Sequence, residues 1–126
     1  MYTPEEGATV AVGVITGVAV GVAARGVRVI FAGEARMPAR RMLGYVVGTS
    51  AAMSPTGQAA FRGHEFHYSD VRLLPGTRYA YRLTRGSGIR DGLDGALRDR
   101  TIGSYTHLHP VTSRGMLAHF VDCCRE

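Results

Sequence analysis

Lysine, asparagine and tryptophan are absent from the 126 residues, and cysteine occurs only twice. Each absence excludes something. A phosphate-cradling loop of the form G-x-x-x-x-G-K-[ST] is impossible without lysine, so these residues hold no nucleotide site of that kind. All 15 basic residues are therefore arginine, and the net charge of +5 follows a composition rich in Arg, Ala, Gly and Val, the residues that GC-rich codons supply. The arginines from Arg72 to Arg100 are interleaved with Asp91, Asp94 and Asp99. That pattern suits a solvated face rather than a continuous phosphate-binding stripe, and no nucleic-acid partner is expected. The cysteines, Cys123 and Cys124, are adjacent, which suits neither an intrachain disulfide nor a C-x-x-C metal pair. Reduced thiols in a cytoplasmic protein, one of them buried as a small hydrophobe, are the expectation.

One apolar, uncharged run near the N-terminus invites a membrane reading. That run, ATVAVGVITGVAVGVAA at residues 8–24, falls short of the roughly 20 apolar residues a spanning helix needs. Glu5 and Glu6 precede it where a signal peptide carries basic residues, so no membrane association is expected. Its valines and glycines disfavour a soluble helix, and its alternation fits a buried strand only in part. Residues 1–27 are accordingly expected to be poorly packed or irregular. The remainder, with 45% hydrophobic and 20% charged residues overall, reads as a single domain of ordinary globular composition.

From Arg28 the chain turns β-rich. RVIFAG, LGYVVGTS, AFRGHEFHYSDVRLL and RYAYRLTRG read as strands separated by Gly, Pro and Ser clusters. DGLDG, Asp91 to Gly95, reads as a turn, and TIGSYTHLH, Thr101 to His109, as a strand stopped by Pro110. A helix follows, with Ser113 as its N-cap and Met116, Leu117, Phe120, Val121 and Cys124 on one apolar face. His119 falls off that face and reads as solvated.

The chemistry-bearing residues concentrate in two clusters. FRGHEFHYSD, Phe61 to Asp70, holds two of the five histidines. His64, Glu65 and His67 are zinc-ligand types, but HEFH is one residue shorter than the H-E-x-x-H pattern, whose histidines lie one helical turn apart. On a strand, His64 shares a face with Phe66, and Glu65 shares the other with His67. The second cluster, SYTHLHP, places His107 and His109 on one face at a strand end. There they read either as solvated histidines or as a general base reaching a nucleophile on another loop. No G-x-S-x-G or G-x-C-x-G elbow supplies that nucleophile.

The succession LGYVVG, FRGHEFHYS, DG, GSYTHLHP and a final helix ending FVDCCRE resembles the C-terminal part of the cobyrinate a,c-diamide synthase family, including its relative that amidates nickel-sirohydrochlorin. The resemblance runs from about Val29 to the C-terminus. It implies an α/β fold: part of a flavodoxin-like class I glutamine amidotransferase domain over residues 28–126, with a mixed sheet and a C-terminal helix. It also implies hydrolysis of glutamine by a cysteine on a strand-to-helix elbow, aided by a histidine and an oxyanion hole. The ammonia then passes to an ATP- and Mg-dependent synthetase domain or subunit that amidates tetrapyrrole carboxylates. No cofactor is expected on this chain itself.

Aligned on the S-Y-x-H block, the resemblance assigns the catalytic role to His107, with His109 second because Val111 stands where other amidotransferases carry a glutamate. His64, Glu65, His67, Tyr68, Ser104 and Tyr105 are implied as supporting or substrate-pocket residues, and no metal ligand is implied. The family's nucleophile lies in E-C-G-G-L-M-Y-L, and the present chain begins Met1-Tyr2. The expectation is therefore a fragment inactive alone, lacking the cysteine. Two alternatives stand beside it: a non-catalytic partner of a split amidotransferase, and a small metal-binding protein using His64, His67 and His107.

Overall fold

The computed structural model describes residues 11–14, 31, 33–36, 41–99 and 101–125. The expectation for residues 1–27 falls outside these except for one strand, as does most of RVIFAG. The elements are β1 (Ala11–Val14), β2 (Gly33–Arg36), β3 (Met42–Ser50), β4 (Ala59–His67), β5 (Asp70–Leu73), β6 (Arg78–Arg85), β7 (Leu93–Arg98), β8 (Thr101–Ser104), β9 (Thr106–Leu108) and α1 (Arg114–Cys123).

Alternation builds the central strands. In β4, Phe61, Glu65 and His67 are buried while Arg62, His64 and Phe66 face outward, as a period of two requires. Its partner β3 runs antiparallel to it without a slip from Met42↔His67 to Ser50↔Ala59. On the other side of β3 lies β6, with a register shift between Val47 and Gly48. The larger sheet has the order β1-β8-β7-β6-β3-β4-β9, and β2 pairs with β5 in a separate ribbon.

That order contains a closure. β8 pairs with β7 near one end, β9 pairs with β4 at the other, and only Tyr105 separates β8 from β9 in sequence. A single bent segment thus joins both ends of the β7-β6-β3-β4 ribbon, rolling the sheet around its core. That core comprises Val46, Phe61, Ala80, Tyr81, Leu97, Ile102 and Met116. A second cluster of Val71, Ile89, Ala96 and Tyr105 lies beside the two-stranded ribbon.

Several readings need correction. AFRGHEFHYSDVRLL is two strands rather than one, β4 and β5, with Tyr68 and Ser69 between them. DGLDG is not only a turn: Asp91 and Gly92 form one, at φ 47° and 81°, but Leu93 to Gly95 enter β7. TIGSYTHLH is two strands rather than one, because its halves have different neighbours. The apolar face assigned to α1 is largely outward: Met116 is buried, whereas Leu117 and Val121 are exposed. Ser113 holds the N-cap position without a capping bond from its side chain. His119 is not simply solvated, since its Nδ1 lies 3.0 Å from the Pro55 carbonyl oxygen and ties α1 to the β3–β4 loop.

The α/β class holds at the level of a sheet-dominated domain with one C-terminal helix, compatible with part of an amidotransferase fold. Of the seven strand pairings among the described residues only β1–β8 is parallel, so a doubly wound parallel arrangement is not displayed there. No helix among the described residues is long and apolar enough to cross a membrane.

Candidate active site

β4 and β9 carry the two histidine clusters and bring them together. Their register pairs Gly63 with Leu108, His64 with His107, and Glu65 with Thr106. Directly opposed residues share a face, and the rings of His64 and His107 stand 4.6 Å apart with a tilt of 39°. The approach of the strands depends on Gly63, where a Cβ would overlap the His107 carbonyl oxygen.

His107 is half-buried, and its Nε2 is buried without a hydrogen-bond partner among the described residues. Burial pushes its pKa below the usual histidine value, and the neighbouring His64 and His67 push in the same direction. His107 is therefore biased toward the neutral imidazole, with one ring nitrogen uncommitted. His109 differs: it is exposed, lies beyond β9, and its Nδ1 accepts the Val111 N–H at 3.2 Å.

Glu65 and His67 form a second unit on the opposite face of β4. Glu65 is only 2% exposed, and its carboxylate meets His67 Nε2 at 3.2 Å, the Ser87 N–H at 2.7 Å and the Gly88 N–H at 3.2 Å. Gly88, at φ +63°, lets that loop aim successive amides inward. Burial alone would raise the Glu65 pKa, but the bonds from His67, Ser87 and Gly88 overcome it and hold it below the usual value. His67 Nδ1 donates to the Ser69 carbonyl at 2.8 Å. Both ring nitrogens thus face acceptors, which only the doubly protonated imidazolium satisfies. Its pKa is accordingly raised: burial opposes the charge, and Glu65 and Ser69 outweigh it.

Tyr105 links this pair to the bend before His107. Its ring stacks on His67 with centroids 3.6 Å apart and 11° from parallel. Its hydroxyl donates to the Ser69 carbonyl at 3.2 Å and lies 2.7 Å from Ser69 Oγ. Ser104 is buried and donates to the Thr106 carbonyl at 3.0 Å, while Tyr68 is exposed and packs edge-on against Phe66. Sequence reasoning missed Gly63, Ser87, Gly88 and Asp94; the last hid inside a turn-like string.

The metal-binding alternative does not assemble. His67 faces away from His64 with both nitrogens committed, and among the described residues no three His, Cys, Asp or Glu side chains are placed to hold an ion. A cleft of about 560 Å³ is lined by Met42, His67, Arg72, Tyr79, Ser87 and Arg90 among others and does not include His64 or His107. The cysteines stand at the end of α1, where Cys123 Sγ lies 3.5 Å from His119 Nδ1.

The sequence profile of the CobB/CobQ-like glutamine amidotransferase domain matches residues 20–114. The chain belongs to this family. The match takes in His64, Glu65, His67, Asp94 and His107 and stops at the first residue of α1. Among curated relatives of this amidotransferase domain, cobyrinate a,c-diamide synthase of Methanosarcina barkeri is 38% identical over 97 residues, 75% of this chain and 20% of that protein. The enzyme of the same name from Methanothermobacter thermautotrophicus is 37% identical over 94 residues, 72% of this chain and 21% of that protein. The Magnetococcus marinus synthase is 44% identical over 63 residues, 49% of this chain and 14% of that protein. The chain thus spans about a fifth of the length of these curated relatives from Methanosarcina and Methanothermobacter. No solved structure gives a significant match.

Proposed function

We propose that this chain is the histidine-bearing part of a class I glutamine amidotransferase, with His107 as the proton-transfer residue. The observation that carries this reading is the state of His107: biased to the neutral form, with Nε2 uncommitted, as a general base requires. In the proposed reaction His107 takes the proton of a cysteine thiol as its sulfur attacks the side-chain carbonyl of glutamine, and returns that proton to the ammonia leaving the tetrahedral adduct. Water then releases glutamate from the thioester.

Neither Cys123 nor Cys124 sits on a strand-to-helix elbow, so the nucleophile is assigned to another polypeptide segment. The flavodoxin-like arrangement would be completed by the same segment. In this proposal, as the resemblance of the sequence implies, the ammonia serves an ATP- and Mg-dependent synthetase that amidates tetrapyrrole a and c carboxylates, and the chain works in the cytoplasm. Reconstitution tests this: the chain mixed with a polypeptide carrying the E-C-G-G-L elbow should release ammonia from glutamine. Failure of every such mixture, or turnover by the chain alone, would count against it.

A second reading, a non-catalytic docking subunit, is favoured by the outward face of β3 and β4. Leu43 and Tyr45 are 62% and 70% exposed, and Leu43 lies opposite the exposed Phe66. Binding of the cysteine-bearing polypeptide without any glutaminase activity would select it.

A further inference from the structure

Asp94 has 0% exposure and stands on β7, away from both histidine clusters in sequence. A fully buried carboxylate persists only where donors surround it. Its Oδ1 accepts the Tyr105 N–H at 3.1 Å, and its Oδ2 accepts the Thr106 N–H at 2.9 Å and the Thr106 hydroxyl at 2.6 Å. The register explains the location. β7 and β8 pair as Ala96↔Gly103, Leu97↔Ile102 and Arg98↔Thr101, and extending that ladder by two residues places Asp94 opposite Tyr105.

At that point the segment leaves β7 for β4, so the amides of Tyr105 and Thr106 lose the neighbour that β7's backbone would have provided. The Asp94 side chain replaces it. The next residue is His107, already in register with His64. Resting on the role proposed for His107, we infer that Asp94 is a positioning residue: it fixes the bend between β8 and β9 and thereby sets where His107 stands against His64.

The test compares Asp94→Asn, Thr106→Val, Thr106→Ser and Ile102→Val in the full chain. The last removes one methyl from the core on β8 and serves as a stability control. The readouts are the NMR contact between the His64 and His107 rings and the titration midpoint of His107, followed beside thermal unfolding. Asp94→Asn should abolish the ring contact and move the His107 midpoint toward the ordinary histidine value. Thr106→Val should do so in part, Thr106→Ser should restore the native values, and Ile102→Val should lower the melting temperature alone.

If Asp94→Asn does not fold, the two Thr106 variants decide. In reconstituted glutaminase, misplacing His107 should cost about 10²-fold in kcat with little change in KM. An unchanged ring contact and midpoint in Asp94→Asn, or in Thr106→Val where Asp94→Asn fails to fold, would overturn the inference. Loss of both NMR features without any glutaminase activity in the unmodified protein would uphold the positioning and refute the function proposed for His107.

Discussion

His67 lies flat on Tyr105, with its Nδ1 on the Ser69 carbonyl and its Nε2 on Glu65, so a charged pair and an aromatic stack meet at the residue where the sheet closes. Its pH signature follows from the two shifts. The folded pKa of His67 is raised, so its contribution is complete below the unfolded value near 6.5 and is lost as pH rises through the folded value. That of Glu65 is depressed, so its contribution is complete above about 4.3 and is lost as pH falls through the folded value. The pair should stabilise the fold most between these limits. Urea unfolding from pH 3 to 9 should show that maximum, and Glu65→Gln should flatten it. Removing one partner of such a buried pair typically costs about 3–5 kcal/mol.

The pairing of His64 with His107 makes a separate prediction. Burial is the larger cause holding the His107 pKa down, and repulsion from His64 is the next. His64→Ala should therefore raise the His107 midpoint part of the way toward the ordinary value, leaving the effect of burial in place. A two-dimensional NMR titration of the imidazole carbons measures this directly. A midpoint that stays put or falls would show that the two rings do not interact as described.

Gly63 offers a steric test. A methyl there meets the His107 carbonyl, whereas one at Gly44, on the adjacent strand, meets nothing within 4 Å. Gly63→Ala should cost about 1–3 kcal/mol and shift the backbone resonances of β9. Gly44→Ala should stay within about 0.5 kcal/mol of the unmodified protein. Equal costs for the two would remove the argument for a close β4–β9 approach.

Much of the central sheet was legible beforehand. LGYVVGTS, AFRGHEFHYSDVRLL and RYAYRLTRG alternate or carry β-forming residues between turn signals; the first and last contain most of β3 and all of β6, and the second divides into β4 and β5. The same period of two placed Glu65 with His67 and His64 with Phe66 on opposite faces. What stayed hidden depends on neighbours distant in sequence. Nothing local to TIGSYTHLH says that its first half pairs with β7 and its second with β4. Asp94 resembled a turn aspartate because glycines flank its segment, and its buried role exists only once Tyr105 and Thr106 arrive beside it. His119 read as solvated because its partner, the Pro55 carbonyl, lies 64 residues away. Helix periodicity on α1 marked an apolar stripe without saying how much of it this domain covers.

In the proposed glutamine hydrolysis His107, and not His109, transfers the proton, and the cysteine comes from outside residues 28–126. The direct measurement is the rate of ammonia release from glutamine by the chain reconstituted with the cysteine-bearing polypeptide, for the unmodified protein and for His107→Ala, His109→Ala and the Cys123→Ser/Cys124→Ser double variant. The account predicts a loss of about 10²–10⁴-fold for His107→Ala alone, with the other variants near the unmodified rate. Full activity in His107→Ala, or loss of activity on replacing the two cysteines, would contradict it.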